Sequence, residues 1–208
     1  MDIDTINKIL PDCISHSKFL KVLKINGKNI PGFELGNASA LTGTFAALRV
    51  LEIPLSATNP TNTTSYANLL ARSINLKELN LTLNPNPKTP ISEQSLAQIL
   101  TGIGSLERIK YLELGIGKVK KEGMKNIFLV LFEKMEKLYS LRLRFKEMYL
   151  TDEDLINLAN ILVTKRRLRT VILFGSFGNI SQGVKDYFFH TLKNVGIKTP
   201  PLSMSEKK

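Results

Sequence analysis

The sequence predicts an α/β repeat fold, about six stacked copies of one helix–turn–strand unit, and three observations predict it. A short apolar pattern recurs six times along the chain at a nearly constant interval. The segments ahead of several copies carry the helical period. The chain has 208 residues and 43% hydrophobic content, enough for one domain with a real core.

The pattern is apolar, two residues, apolar, one residue, apolar. It reads Leu20-x-x-Leu23-x-Ile25, Leu48-x-x-Leu51-x-Ile53 and Leu76-x-x-Leu79-x-Leu81 in the first half. It continues as Ile109-x-x-Leu112-x-Leu114, Leu138-x-x-Leu141-x-Leu143 and Leu168-x-x-Val171-x-Leu173. Successive starts lie 28, 28, 33, 29 and 30 residues apart. Alternation of the last two anchors, as in Leu141 and Leu143, puts one face of a short strand in a core and the other in solvent. Ahead of the sixth copy, Leu155, Leu158, Ala159 and Leu162 form one helical stripe. Thr151 is a suitable N-cap there, and Asp152, Glu153 and Asp154 suit the positive end of the helix dipole. Similar stripes run through residues 96–100 and 124–135. No single copy could bury its own apolar face, so neighbours must stack.

In chain order, residues 4–16 read as an amphipathic helix broken near Pro11, capping the first repeat. Residues 26–47 fit the pattern less well, with a turn at Asn26-Gly27 and small polar residues after Gly36. Residues 55–64 and 84–90, rich in Pro, Thr and Asn, read as loops; the second accounts for the 33-residue interval. Residues 182–192 read as a closing helix with Val184, Tyr187, Phe188 and Leu192 on one side. The resulting division is an N-terminal capping helix (1–19), the repeats (20–175), a C-terminal capping helix (176–199) and a disordered tail (200–208).

These six copies resemble the leucine-rich-repeat family, in its ribonuclease-inhibitor-like class with repeats of about 28–29 residues. The resemblance covers Leu20 to about Gly175, with residues 151–173 its best example. It implies a solenoid: an arc of short parallel strands inside and helices outside. The family places Asn or Cys three residues after the third anchor, and only Asn84 does so here. Lys28, Ser56, Gly117, Lys146 and Ser176 depart from it, so the repeats are divergent. The resemblance further implies a binding role, as a free-standing adaptor, a secreted-effector recognition domain or the ligand-sensing fragment of a larger intracellular immune receptor. One branch of the class activates GTP hydrolysis, but no residue here maps onto its arginine.

Chemistry-bearing residues are sparse. His16, His190 and the lone Cys13 make neither a metal-ligand cluster nor an internal disulfide. Gly115-Ile-Gly-Lys118 lacks the full phosphate-loop spacing, and Gly175-Ser-Phe-Gly178 is not a nucleophile elbow. We therefore expect no enzyme activity, no catalytic residue, no metal and no cofactor. No apolar run approaches the roughly 20 residues that cross a bilayer. The first residues lack a signal-peptide pattern, which makes the four Asn-x-Ser/Thr matches chance and the expected compartment the cytoplasm or nucleus. Oligomeric state is not legible in the sequence.

The net charge of +11 is uneven: residues 1–104 hold nine Lys/Arg against seven Asp/Glu, and residues 105–208 hold twenty against eleven. Lys118, Lys120, Lys121, Lys125, Arg142, Arg144, Lys146, Lys165, Arg166, Arg167 and Arg169 are the candidates for binding nucleic acid or anionic lipid. The blander reading is a solubilising surface.

If the anchors point inward, the residues between and beside them form the concave face. Its C-terminal third collects Tyr111, Arg142, Arg144, Ile172 and Phe174, aromatic and arginine types enriched at interface hot spots. They are the candidate site for a protein partner, one with apolar and acidic groups. The competing account has the closing helix or the tail cover Ile172 and Phe174.

Overall fold

The computed structural model describes residues 19–25, 47–55, 60–83, 91–117, 127–145, 150–175, 177 and 179–200. The expected first capping helix, the loop at 84–90 and most of the expected tail lie outside them.

Six strands form one open, all-parallel sheet whose spatial order is the chain order. They are β1 (Val22–Lys24), β2 (Val50–Leu55), β3 (Glu78–Leu83), β4 (Tyr111–Ile116), β5 (Ser140–Phe145) and β6 (Thr170–Gly175). The described helices are α1 (Pro60–Arg72), α2 (Glu93–Gly104), α3 (Ile127–Phe132), α4 (Asp152–Val163) and α5 (Gln182–Asn194), each packed on its neighbour in sequence. The fold is thus α/β, with the serial neighbour contacts of a solenoid-like arc.

The anchors fall into register as the repeat requires. Leu51, Leu79, Leu112, Leu141 and Val171 are paired in one row across the sheet, and Ile53, Leu81, Leu114, Leu143 and Leu173 in a second. The anchors ahead of the strands (Leu48, Leu76, Ile109, Leu138 and Leu168) are each 0% exposed. All join the helical stripes in one continuous core. Alternate strand residues are exposed or half-buried, as along β3 (Glu78, Asn80, Thr82). One sheet face is therefore covered and the other open.

Helix starts follow local capping chemistry. Ser92 Oγ accepts from Ser95 N, and Thr151 Oγ1 accepts from Asp154 N. Asp154 returns the bond by accepting from Thr151 N at 2.9 Å, a reciprocal capping box. Asp154 therefore acts structurally at the helix start. Asp152 accepts from the backbone N–H of Ser181, the N-cap of α5, at 2.8 Å. That bond holds the Asp152 carboxyl below the ordinary carboxylate range.

The structure corrects the loop expected at residues 55–64. Leu55 ends β2, and α1 begins at Pro60. Proline suits the first helical position because its missing N–H has no partner there. Thr63, Tyr66 and Leu70 then recur at helical spacing and are buried, so packing overrides the loop-like composition. Of the stripe at 124–135, the described residues 127–132 are helical, and Met135 is buried in the following turn. In α5, Phe188 and Leu192 are buried, whereas Tyr187 lies at the rim and donates to Asn160 Oδ1.

α5 ends in a Schellman motif. Ile197 N donates to Leu192 O and Gly196 N to Lys193 O, with Gly196 at φ +77°. The chain then returns to the sheet: Lys198 N donates to Arg169 O, and Val171 N to Lys198 O. Ile197 is buried, and Lys198 forms an isolated parallel bridge with Thr170 at the edge of the sheet. Among the described residues no helix is long and apolar enough to cross a membrane.

Two glycines set the helix spacing. A Cβ on Gly102 would lie 2.5 Å from the Ala67 carbonyl oxygen in α1, and one on Gly104 at 2.5 Å from that of Val130 in α3. α2 is thus in backbone contact with both neighbours. Gly102→Ala is expected to destabilise the protein by about 1–3 kcal/mol through overpacking. Gly183→Ala, where a Cβ meets nothing within 4 Å, is expected to be neutral or to stabilise by up to about 1 kcal/mol. Denaturant midpoints of the two variants check the contrast.

Candidate functional site

The open sheet face holds the five candidate residues on β4, β5 and β6. Parallel pairing sets Glu113, Arg142 and Ile172 in one row and Gly115, Arg144 and Phe174 in the next. Adjacent strands lie about 4.8 Å apart, so the side chains of these rows meet. Arg142 Nη1 donates to Glu113 Oε2 at 3.2 Å, and Arg144 Nε to Glu113 Oε1 at 2.9 Å. The Arg144 guanidinium also stands 4.8 Å from the centre of the Phe174 ring. That geometry combines a salt bridge with a cation–π contact and restrains a long side chain without burying it.

Glu113, between the anchors Leu112 and Leu114, faces outward by the repeat register but was not among the candidates. Its carboxylate, 24% exposed, is shared by two guanidiniums that are 41% and 49% exposed. Two positive charges meet one negative, so the cluster keeps a net charge of about one.

Ile172 and Phe174 are half-buried. α5 packs on α4 in the helical layer, the side to which the anchors point. It is therefore not placed over the outward side chains of β6, contrary to the helix version of the competing account, and the tail beyond residue 200 lies outside the described residues. Tyr111 stands apart from the other four. It begins β4, two residues before Glu113, and its exposed ring meets Tyr139 edge-on with centroids 5.9 Å apart. Tyr139 precedes its strand and is not an outward residue of the repeat pattern, which is why sequence reasoning missed it.

The basic candidates divide. Lys118, Lys120, Lys121, Lys125 and Lys146 lie outside the described residues. Arg142 and Arg144 are bound to Glu113. Lys165, expected as a surface cation, has a side chain only 5% exposed. Its Nζ donates to Glu133 O and Glu136 Oε1, both at 3.0 Å, which ties the turn after α4 to the turn after α3. Arg166, Arg167 and Arg169 are exposed in the turn leading to β6. Among the described residues no group of three or more His, Cys, Asp or Glu could hold a metal ion. No protein-family model matches the chain, and no match is found among curated proteins.

Proposed function

We propose that this chain is a leucine-rich-repeat module of about six repeats that binds a protein partner through its open sheet face, without catalysing a reaction. The observation that carries the reading is the cluster around Glu113. Phe174 and Ile172 are apolar and half-buried, beside two guanidiniums held by one carboxylate. A restrained Arg over an aromatic ring loses little further freedom on binding, which favours a well-packed anchor. The partner surface that fits is apolar at its centre with one or two carboxylates at its edge.

The immobilised full chain, challenged with nuclease-treated extract at physiological salt, is expected to retain a protein. Phe174→Ala should weaken capture of that protein by about 2 kcal/mol, near thirtyfold. Retention that disappears with nuclease, or that Phe174→Ala leaves unchanged, contradicts the reading.

A further inference from the structure

A second surface runs along the edge of the sheet where the strands begin. The residue before each strand donates its N–H to the carbonyl of its counterpart in the preceding repeat. Arg49 bonds Lys21, Lys77 bonds Arg49, Lys110 bonds Lys77, Tyr139 bonds Lys110, Arg169 bonds Tyr139 and Lys198 bonds Arg169, every one at 2.8 Å. The seven residues are one hydrogen-bonded row, and with strands about 4.8 Å apart it is about 29 Å long. Six of the seven are Lys or Arg, where the chain's 29 in 208 would place about one.

All but half-buried Arg49 are exposed. Among the described residues none of these six cations has a carboxylate partner: the ion pairs there use Lys24, Arg142, Arg144 and Lys165. Arg49 and Arg169 direct their guanidiniums to backbone carbonyls, which leaves the charge unneutralised. The flanking turns add exposed Arg108, Lys137, Arg166 and Arg167 against exposed Glu107 and Glu136, the latter already paired with Lys165, while the next residue of each repeat adds only one acid, Glu78. Like charges in register on adjacent strands repel and cost stability. A row of them is a standing demand for a long anion.

The one interruption of the row is aromatic. Tyr139 takes the fifth place, 47% exposed, with Tyr111 (45% exposed) edge-on against it and cations on both sides along the row. A cationic track interleaved with exposed rings is the arrangement that binds single strands, the phosphates lying on the charges and bases on the rings. A duplex hides its base faces, and an acidic peptide or lipid headgroup layer offers nothing to stack. We propose that this row is a track for the backbone of a single-stranded nucleic acid, with Tyr139 and Tyr111 as the platform for a base. It is independent of the Glu113 cluster, although Tyr111 borders both.

The test uses the full chain and a fluorescent oligothymidine of about fifteen nucleotides, read by anisotropy. Binding is expected at about 50 mM salt, and six neutralised phosphates give a slope of log affinity on log salt of about −4. The Lys77→Ala/Lys110→Ala variant should flatten that slope to about −3. Tyr139→Ala should weaken binding about fivefold or more at unchanged slope, and Tyr139→Phe should restore it. The outward Phe174→Ala variant should bind the oligonucleotide as the parent does. Absence of binding, a slope the lysine variant leaves alone, or a Tyr139→Ala variant that binds as tightly as the parent would overturn the proposal. So would polyglutamate, phosphatidylserine vesicles or a duplex of equal length competing as well as unlabelled oligothymidine at equal charge.

Discussion

Leu141→Ala is expected to destabilise the protein by about 2–5 kcal/mol, while its neighbour Arg142→Ala leaves stability almost unchanged. Leu141 is 0% exposed and sits between Leu112 and Val171 in the middle of the anchor row. Truncation leaves a cavity that two flanking repeats cannot both close. For a chain of this size the melting temperature should fall by about 4–20 °C. Arg142 has its side chain 41% exposed, and Glu113 keeps Arg144 when Arg142 is removed, so no buried carboxylate is orphaned. The terminal anchor Leu23, 9% exposed in the end strand, should cost less than Leu141 because only one side of its repeat is stacked among the described residues. A larger loss from Arg142→Ala than from Leu141→Ala would mean that the sheet faces are exchanged.

The strands were legible because their determinants are local. Anchors at a near-constant interval leave a parallel sheet one register, and a shift by one residue would turn Leu141 and Leu143 to solvent and bury Arg142 and Arg144. The helix cap at Thr151 was similarly readable, since it is written within four residues, whereas the equally local cap at Ser92 was not picked out. The start of α1 was not. Pro, Thr and Asn are loop formers by propensity, and only the burial of Thr63, Tyr66 and Leu70 by tertiary packing makes residues 60–64 helical. The return of the chain to the sheet at Lys198 was hidden for another reason. Ile197 repeats the first anchor, but the second anchor position holds Pro200, so the three-anchor pattern fails there.

At the candidate site, sequence register identified which side chains face outward but not how they pair. The salt bridges from Arg142 and Arg144 to Glu113 join residues 29 and 31 apart, and depend on which rotamers the neighbouring strands permit. Burial of Lys165 likewise follows from the turn after α3 presenting the Glu133 carbonyl to it. The basic row was missed because anchors were tracked and the residues between first anchor and strand were not. Its regularity appears once each residue is bonded to its counterpart.

On the proposed function, the outward apolar residues of β6 serve a partner and not the fold. The Ile172→Ser/Phe174→Ser variant separates these roles in one preparation, by thermal melting and by titration with the protein captured on the parent chain. Both residues are half-buried, and the anchors beside them, Val171 and Leu173, are 1% and 3% exposed and untouched by the substitutions. Melting is expected within a few degrees of the parent, with binding weakened by about 2 kcal/mol or more, thirtyfold at least. A variant that unfolds, or one that melts and binds like the parent, would contradict it.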